Sequence, residues 1–186
     1  MATKLTPTIT VYDRDDWDAR PWKDYTDQGW EAHEVFIHHT ADEADVDSLA
    51  DQAAQMRGYQ DYHMDTQGWD DIGYHYVVFP NFTTSSGTWI PSRIFKGRPR
   101  NHVPAAQEGH NRGTLAIAVV RGGDRRMYEN QRYAVGVLIN YLKDAGAPLR
   151  ELGGHRDVVS TTCPGDGIYR ADLPILRDVT NLRRYS

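Results

Sequence analysis

The chain has 186 residues, of which 39% are hydrophobic and 25% are charged, and its formal net charge is −5. This composition excludes a wholly disordered chain and predicts a single globular domain over residues 1–186 with a sizeable core. The negative charge provides no general basic field and therefore argues against a general nucleic-acid binder, although local basic patches are compatible with it.

Cysteine usage and hydropathy limit the class of protein further. Cys163 is the single cysteine, so no intramolecular disulfide can form and the chain suits synthesis in a reducing cytoplasm. The first twenty residues contain no apolar segment typical of a signal peptide, and no run approaches the roughly 18 apolar residues of a membrane span. We therefore expect neither secretion by a signal peptide nor membrane insertion.

The first informative element is the apolar run from Val35, which predicts a strand that ends in two adjacent histidines, His38 and His39. A strand end is a rigid place for a metal ligand. Neighbouring side chains on a strand point to opposite faces, so the two imidazoles cannot reach one metal ion in the same way. The pattern alone does not choose between them.

A helix is predicted next, over residues 45–65, because apolar side chains recur there at spacings of three and four. Those side chains are Val46, Leu49, Ala53 and Met56. A turn then leads into a buried strand, and Tyr74 stands at that junction. Such a position can aim a phenol at a site beside the strand ends, while a half-buried structural tyrosine is an equally good interpretation.

A cluster of basic side chains follows, with Arg98 and Arg100 at its end. A solvated loop is the favoured interpretation, and a clamp for a substrate carboxylate is the alternative, because guanidinium grips carboxylate through paired hydrogen bonds. His110 lies on the next polar loop, before the clear strand Thr114–Val120. It is a candidate for substrate contact or a surface histidine.

The last third of the chain predicts two more helices. The first has an apolar stripe at helical spacing, made of Tyr133, Ala134, Val137, Leu138, Tyr141 and Leu142. The second, between residues 171 and 184, is shorter and centres on Ile175 and Leu176. Because strands and helices interleave, the predicted fold class is α/β: a mixed central β-sheet flanked by helices, with a cleft at the strand ends.

The connection from Gly153 to Gly167 places His155 and Cys163 eight positions apart on one short segment. Zinc binds neutral imidazole and thiolate in tetrahedral geometry, so these two residues make half of a zinc site. A hydrolytic site needs a third protein ligand and leaves the fourth position open, and the histidine pair upstream is the best source of that ligand. A closed structural site would need a fourth protein ligand, and no second cysteine is available.

Three segments in order, VFIHHTA, HMDTQGWDDIGYHYVV and GHRDVVSTTCPGDG, resemble the peptidoglycan recognition protein and type 2 N-acetylmuramoyl-L-alanine amidase family. Bacteriophage cell-wall amidases belong to this family, and the resemblance covers roughly residues 14–177. It implies the same α/β arrangement. It also implies zinc ligands at His38, His155 and Cys163, with Tyr74 and Thr161 beside the metal.

The resemblance implies zinc-dependent hydrolysis of the amide between N-acetylmuramic acid and L-alanine in peptidoglycan. Tyr74 would then donate a proton or a hydrogen bond, and Thr161 would orient the reacting groups or simply bond its own backbone. The alternative is a non-catalytic peptidoglycan-binding module, although such relatives typically lose the ligand cysteine, which is present here. The chain departs from the family at Ala105, Ala106 and Gln107, where relatives commonly read Gly-Ala-His.

The expected cofactor is Zn²⁺, and the expected partner is peptidoglycan, contacted through its glycan strand and stem peptide. We expect a monomer that binds no nucleic acid. A phage endolysin, made in the cytoplasm and acting on the cell wall after release by a lysis system, fits the absence of a signal peptide.

Overall fold

The computed structural model describes residues 1–29, 32–43, 48–80, 82–83, 89–90 and 92–186. The strands of this part of the chain are β1 (Thr3–Thr6), β2 (Ile9–Tyr12), β3 (Glu34–His39), β4 (Tyr76–Val78), β5 (Phe82–Thr83), β6 (Trp89–Ile90), β7 (Ser92–Lys96), β8 (Thr114–Val119), β9 (Glu151–Gly154) and β10 (Arg183–Arg184). The α-helices are α1 (Leu49–Asp61), α2 (Glu129–Asp144) and α3 (Leu173–Thr180).

Eight strands form one sheet in the order β1-β2-β7-β4-β8-β3-β9-β10, and β5 pairs with β6 separately. Pairing is antiparallel between β1 and β2 and between β4 and β7, and parallel between the other neighbours. The prediction of a mixed central sheet flanked by helices is confirmed. The central strand β3 is parallel to both of its neighbours, so the carboxyl ends of β8, β3 and β9 meet at one edge.

Alternation along β3 divides its side chains between the two faces of the sheet. Val35 and Ile37 join the core cluster that α2 and α3 cover. Phe36 and His38 point to the opposite face, and His38 pairs in register with Ala118 of β8. His38 therefore lies on the face that α1 borders, and the side chain of His39 lies on the opposite face.

The helix α2 covers one face of the sheet with a buried stripe that differs from the predicted one. Leu138 and Leu142 are buried as expected, but Tyr133 is 59% exposed and Tyr141 is 46% exposed. Smaller side chains, Val135 and Ile139, take the buried positions instead. The helix therefore turns the two tyrosines of the predicted stripe toward solvent.

The helix α1 lies on the other face, beside the carboxyl ends of the central strands. Its first turn is capped by the Ser48 hydroxyl, which accepts a hydrogen bond from the Asp51 backbone N–H at 2.9 Å. Met56 is buried as predicted, whereas Leu49 is 37% exposed. The predicted Val46 lies outside the described residues. No helix in the described part of the chain combines the length and the apolar character needed to cross a membrane.

Ile117→Ala tests how far the core depends on β8. Ile117 is fully buried on the central strand next to β3, so we expect its truncation to lower the free energy of unfolding by about 2–5 kcal/mol. Urea unfolding followed by circular dichroism measures this loss. Val179→Ala, at a position that is 57% exposed on α3, is the matched control and should stay close to the parent.

Candidate metal centre

Three side chains that are far apart in sequence converge at the carboxyl edge of the sheet. One ligand atom from each of His38, His155 and Cys163 lies within 4.8 Å of the others. His38 Nδ1 is 4.0 Å from Cys163 Sγ, and the ring centroids of the two histidines are 4.6 Å apart. These separations suit a single metal ion bound between the three groups.

The strand order brings the three groups together. His38 is near the end of β3, and His155 begins the turn directly after β9, the strand that pairs in parallel with β3. Cys163 follows on the same connection, where its sulfur accepts a hydrogen bond from the backbone N–H of His39 at 3.4 Å. The second histidine of the pair therefore contributes its backbone to the site, while its side chain points to the other face.

The cysteine loop is held by tight packing and by Arg156. The backbone N–H of Arg156 bonds the carbonyl of Cys163 at 3.1 Å, and its guanidinium bonds the carbonyl of Thr162 and the carboxylate of Asp166. Gly165 has a φ of +89°, and a Cβ at that position would lie 2.3 Å from the carbonyl oxygen of Gly123. Only glycine fits this close approach, which fixes the loop against the segment before α2.

Burial sets the protonation of the three groups. It lowers the pKa of both His38 and His155, and the proximity of other histidines adds to the effect. Both imidazoles are therefore neutral at physiological pH and have a lone pair for a metal. Burial also raises the pKa of the Cys163 thiol to about 11, so the thiolate that zinc requires forms only when a cation is bound there.

Two further observations support the fit of these three side chains to a zinc ion. The Nε2 atom of His155 is buried and has no hydrogen-bond partner among the described residues, which is costly for a polar atom unless a ligand is present. His38 uses its Nε2 atom on the side-chain oxygen of Gln107, 3.1 Å away, and so turns Nδ1 toward the sulfur. Two imidazole nitrogens and one thiolate leave the fourth tetrahedral position open.

Tyr74 and Thr161 both lie beside the cluster. The ring centroid of Tyr74 is 5.4 Å from that of His38, and the residue is only partly buried. Burial, followed by the nearby Cys163, raises the pKa of its phenol, so the hydroxyl stays a hydrogen-bond donor. Thr161 accepts the backbone N–H of Cys163 at 3.2 Å, which is the local backbone bond expected for a loop threonine.

His110 lies on the same face of the sheet as His38 but farther from the carboxyl edge. Its Nε2 atom is 2.7 Å from a carboxylate oxygen of Glu34, the first residue of β3, and its ring meets the edge of Phe36 with centroids 5.5 Å apart. Tyr185 packs against the same two rings. His110 is therefore a partly buried and partnered side chain rather than a free surface histidine.

Arg98 and Arg100 lie in different surroundings. Arg98 is only 5% exposed, and its guanidinium donates to the backbone carbonyls of Ile72, Val103 and Asp71. It ties loops together and is not a solvated charge. Arg100 lines a cavity of about 430 Å³ beside α2, on the other side of the sheet from the cluster. The interpretation of the two arginines as a clamp for a substrate carboxylate stays a prediction.

Two contacts of the site were not foreseen from the sequence. Gln107 is fully buried against His38, although 69 residues separate the two along the chain. Arg156 closes the cysteine loop. The second contact had a signal, because Arg156 directly follows the candidate ligand His155. The departure from the family pattern at Gln107 was visible in the sequence, but it did not indicate a contact with His38.

A family model described as N-acetylmuramoyl-L-alanine amidase (Amidase_2) matches residues 28–166, most of the chain, including all three cluster residues. The chain belongs to this amidase family. Among its relatives are the N-acetylmuramoyl-L-alanine amidases of Sus scrofa and Homo sapiens, each 34% identical over 140 residues, or 73% of this chain. Those residues are 22% and 23% of the two relatives, so the chain matches less than a quarter of their length.

Insect peptidoglycan-recognition proteins match a larger share of this chain than the pig and human amidases do. Drosophila melanogaster peptidoglycan-recognition protein LB is 30% identical over 169 residues, covering 87% of this chain and 67% of that protein. A solved structure of Drosophila PGRP-LB superposes with a TM-score of 0.74 at 29% identity, covering 88% of this chain and 92% of the other. These relatives confirm the resemblance and the fold, while the bacteriophage part of the expectation stays a prediction.

Cys163→Ser tests the ligand assignment in this family member. A serine hydroxyl does not deprotonate as a thiol does, so we expect the variant to lose tightly bound zinc while keeping the parent's circular dichroism spectrum. Zinc content after gel filtration, measured by plasma mass spectrometry, gives the result. Equal zinc in parent and variant would remove Cys163 from the ligand set. Thr162→Ser, one residue away, is the matched control.

Proposed function

We propose that this protein is a zinc-dependent hydrolase that cleaves the amide between N-acetylmuramic acid and L-alanine in bacterial peptidoglycan. The observation that carries the proposal is the set formed by His38, His155 and Cys163, with ligand atoms within 4.8 Å and one buried nitrogen lacking a partner among the described residues. Membership of the amidase family and the names of the pig and human relatives support it.

The substrate class is supported by relatives whose structures contain wall fragments. A point mutant of Drosophila PGRP-LB was solved in complex with tracheal cytotoxin, and its structure has a TM-score of 0.72 at 28% identity to this chain. PGRP-LE was solved with the same ligand, described as a monomeric diaminopimelic acid-type peptidoglycan, with a TM-score of 0.72 at 25% identity. We infer that the face bordered by α1 receives a muropeptide here also.

The chemistry divides between the metal and the side chains around it. When bound, zinc supplies Lewis-acid polarisation of the scissile carbonyl and activation of water. His38 and His155 remain neutral ligands, and the Cys163 loop holds its sulfur in place through Arg156. Tyr74 keeps its proton because burial raises the pKa of the phenol, so it can donate a hydrogen bond to the carbonyl oxygen as negative charge develops there.

Thr161 and His110 have supporting roles in this proposal. The Thr161 hydroxyl accepts the backbone N–H of Cys163 and so still has its own proton to donate toward the reacting groups. His110 pairs with Glu34 and packs on Phe36, the side chain two positions before His38 on the same face. We place it along the bound stem peptide rather than at the reacting bond.

Release of stem peptides tests the function directly. The zinc-loaded protein is incubated with purified peptidoglycan, and mass spectrometry searches for peptides that begin with a free L-alanine amine. We expect such peptides from the parent and none from Cys163→Ser or after chelation. Binding of the wall without release would instead identify a recognition module, and an absence of both would contradict the proposal.

Tyr74→Phe separates the proton donor from the metal. The variant keeps the ring that packs beside His38 and loses only the hydroxyl, so zinc content should be unchanged while kcat falls about 10²–10³-fold, as for loss of one oxyanion donor. Tyr133→Phe, at an exposed position on the opposite face, is the matched control. Parental kcat in Tyr74→Phe would reduce Tyr74 to a packing residue.

A further inference from the structure

A chain of buried hydrogen bonds leads away from His38 on the side opposite the cluster. His38 Nε2 lies 3.1 Å from Gln107 Oε1, and Gln107 Nε2 lies 2.8 Å from Thr114 Oγ1. Thr114 Oγ1 in turn lies 2.6 Å from the backbone carbonyl oxygen of Asn111. His38 is 1% exposed, and Gln107 and Thr114 are 0% exposed, so these groups must satisfy one another.

The donors and acceptors of this chain can be arranged in one direction only. The Asn111 carbonyl can only accept, so the Thr114 hydroxyl gives its single proton to it. The Thr114 oxygen then accepts from the amide nitrogen of Gln107, which leaves the Gln107 oxygen facing His38. An amide oxygen can only accept, so His38 Nε2 carries the proton. The lone pair of the imidazole is therefore on Nδ1, the atom that faces Cys163 Sγ at 4.0 Å.

The backbone of Gln107 is fixed by the same loop. The side-chain oxygen of Asn111 accepts the backbone N–H groups of Ala106 at 3.1 Å and Gln107 at 2.9 Å. Asn111 thus fixes the hydrogen-bond chain at two points, because its carbonyl accepts from Thr114 and its side chain holds the backbone of Gln107. A rotation of the His38 ring would break a hydrogen bond that is supported from two directions.

We propose that Gln107 is a positioning residue that holds the His38 ring in the Nε2–H tautomer and aims Nδ1 at the metal. The proposal rests on the zinc site put forward above and adds the group that prepares its first ligand before the metal arrives. Groups of this kind fix ligand orientation, and their loss typically weakens metal binding about 10–100-fold. Here the acceptor is a neutral amide, so it orients the ring without adding negative charge beside the site.

The tautomer is the first readout. Long-range ¹H–¹⁵N spectra of the protein after zinc removal report which ring nitrogen of His38 is protonated. We expect the Nε2–H form in the parent and a loss of that preference in Gln107→Leu, which keeps the volume and removes the acceptor. An Nδ1–H form in the parent overturns the proposal, whatever the enzyme activity.

Zinc affinity is the second readout, measured by competition with a chromophoric chelator. We expect Gln107→Leu to bind zinc about 10–100-fold more weakly than the parent. Parental affinity in a folded Gln107→Leu contradicts the proposal. Neither readout uses peptidoglycan, so a failure to release stem peptides is distinguishable from a failure of this inference.

Thr114 supplies a matched pair of variants that does not alter Gln107. Thr114→Ser keeps the hydroxyl that orients the amide, and its zinc affinity should remain close to that of the parent. Thr114→Val keeps the shape and removes the hydroxyl, so the amide can rotate and zinc affinity should fall. Equal losses of zinc affinity in Thr114→Ser and Thr114→Val would show that only packing matters at this position. That result would overturn the proposed chain of hydrogen bonds.

Discussion

The parallel pairing of β3 with both β8 and β9 is the constraint on which the site depends. It aligns the carboxyl ends of three neighbouring strands, so that the end of β3 presents His38 and the end of β9 delivers His155 beside it. The cysteine loop then returns over the same edge, where the backbone of His39 meets the sulfur. No single segment contains the site, and the register of the central sheet assembles it.

Burial gives this assembly its chemical character. Neutral imidazoles and a protonated thiol are the stable forms of these groups in a low-dielectric interior, as the pKa shifts indicate. A cation placed among them makes the thiolate the stable form and gives the orphaned nitrogen of His155 a partner. Binding of the metal should therefore release a proton and tighten the carboxyl edge of the sheet.

The features that depend on residues close together in the sequence could be predicted from the sequence. The order of the three motifs, His155 and Cys163 as candidate ligands, and the α/β class were predicted from the sequence. The choice of His38 rather than His39 as the candidate ligand rested on the family resemblance. Alternation along the strand says only that the two side chains point to opposite faces. Which of the two side chains points toward the cluster depends on what packs against each face of the sheet, and that is a tertiary property.

The errors have the same origin. Tyr133 has the helical spacing of a core residue, yet smaller side chains of α2 fill the face toward the sheet and the tyrosine stays in solvent. Arg98 stands in a run of charges that looks solvated, but nearby loops aim three carbonyls at its guanidinium. The departure from the family pattern at Gln107 did not identify its partner, because the histidine that this loop residue contacts is 69 residues away on β3.

X-ray absorption spectroscopy at the zinc edge tests the central claim most directly, since it measures the ligand atoms around the bound metal. Two imidazole nitrogens at about 2.0–2.1 Å and one sulfur at about 2.3 Å are the predicted shell, with a light atom in the fourth position. A shell without sulfur, or with four protein ligands, would contradict the account of an open His-His-Cys site.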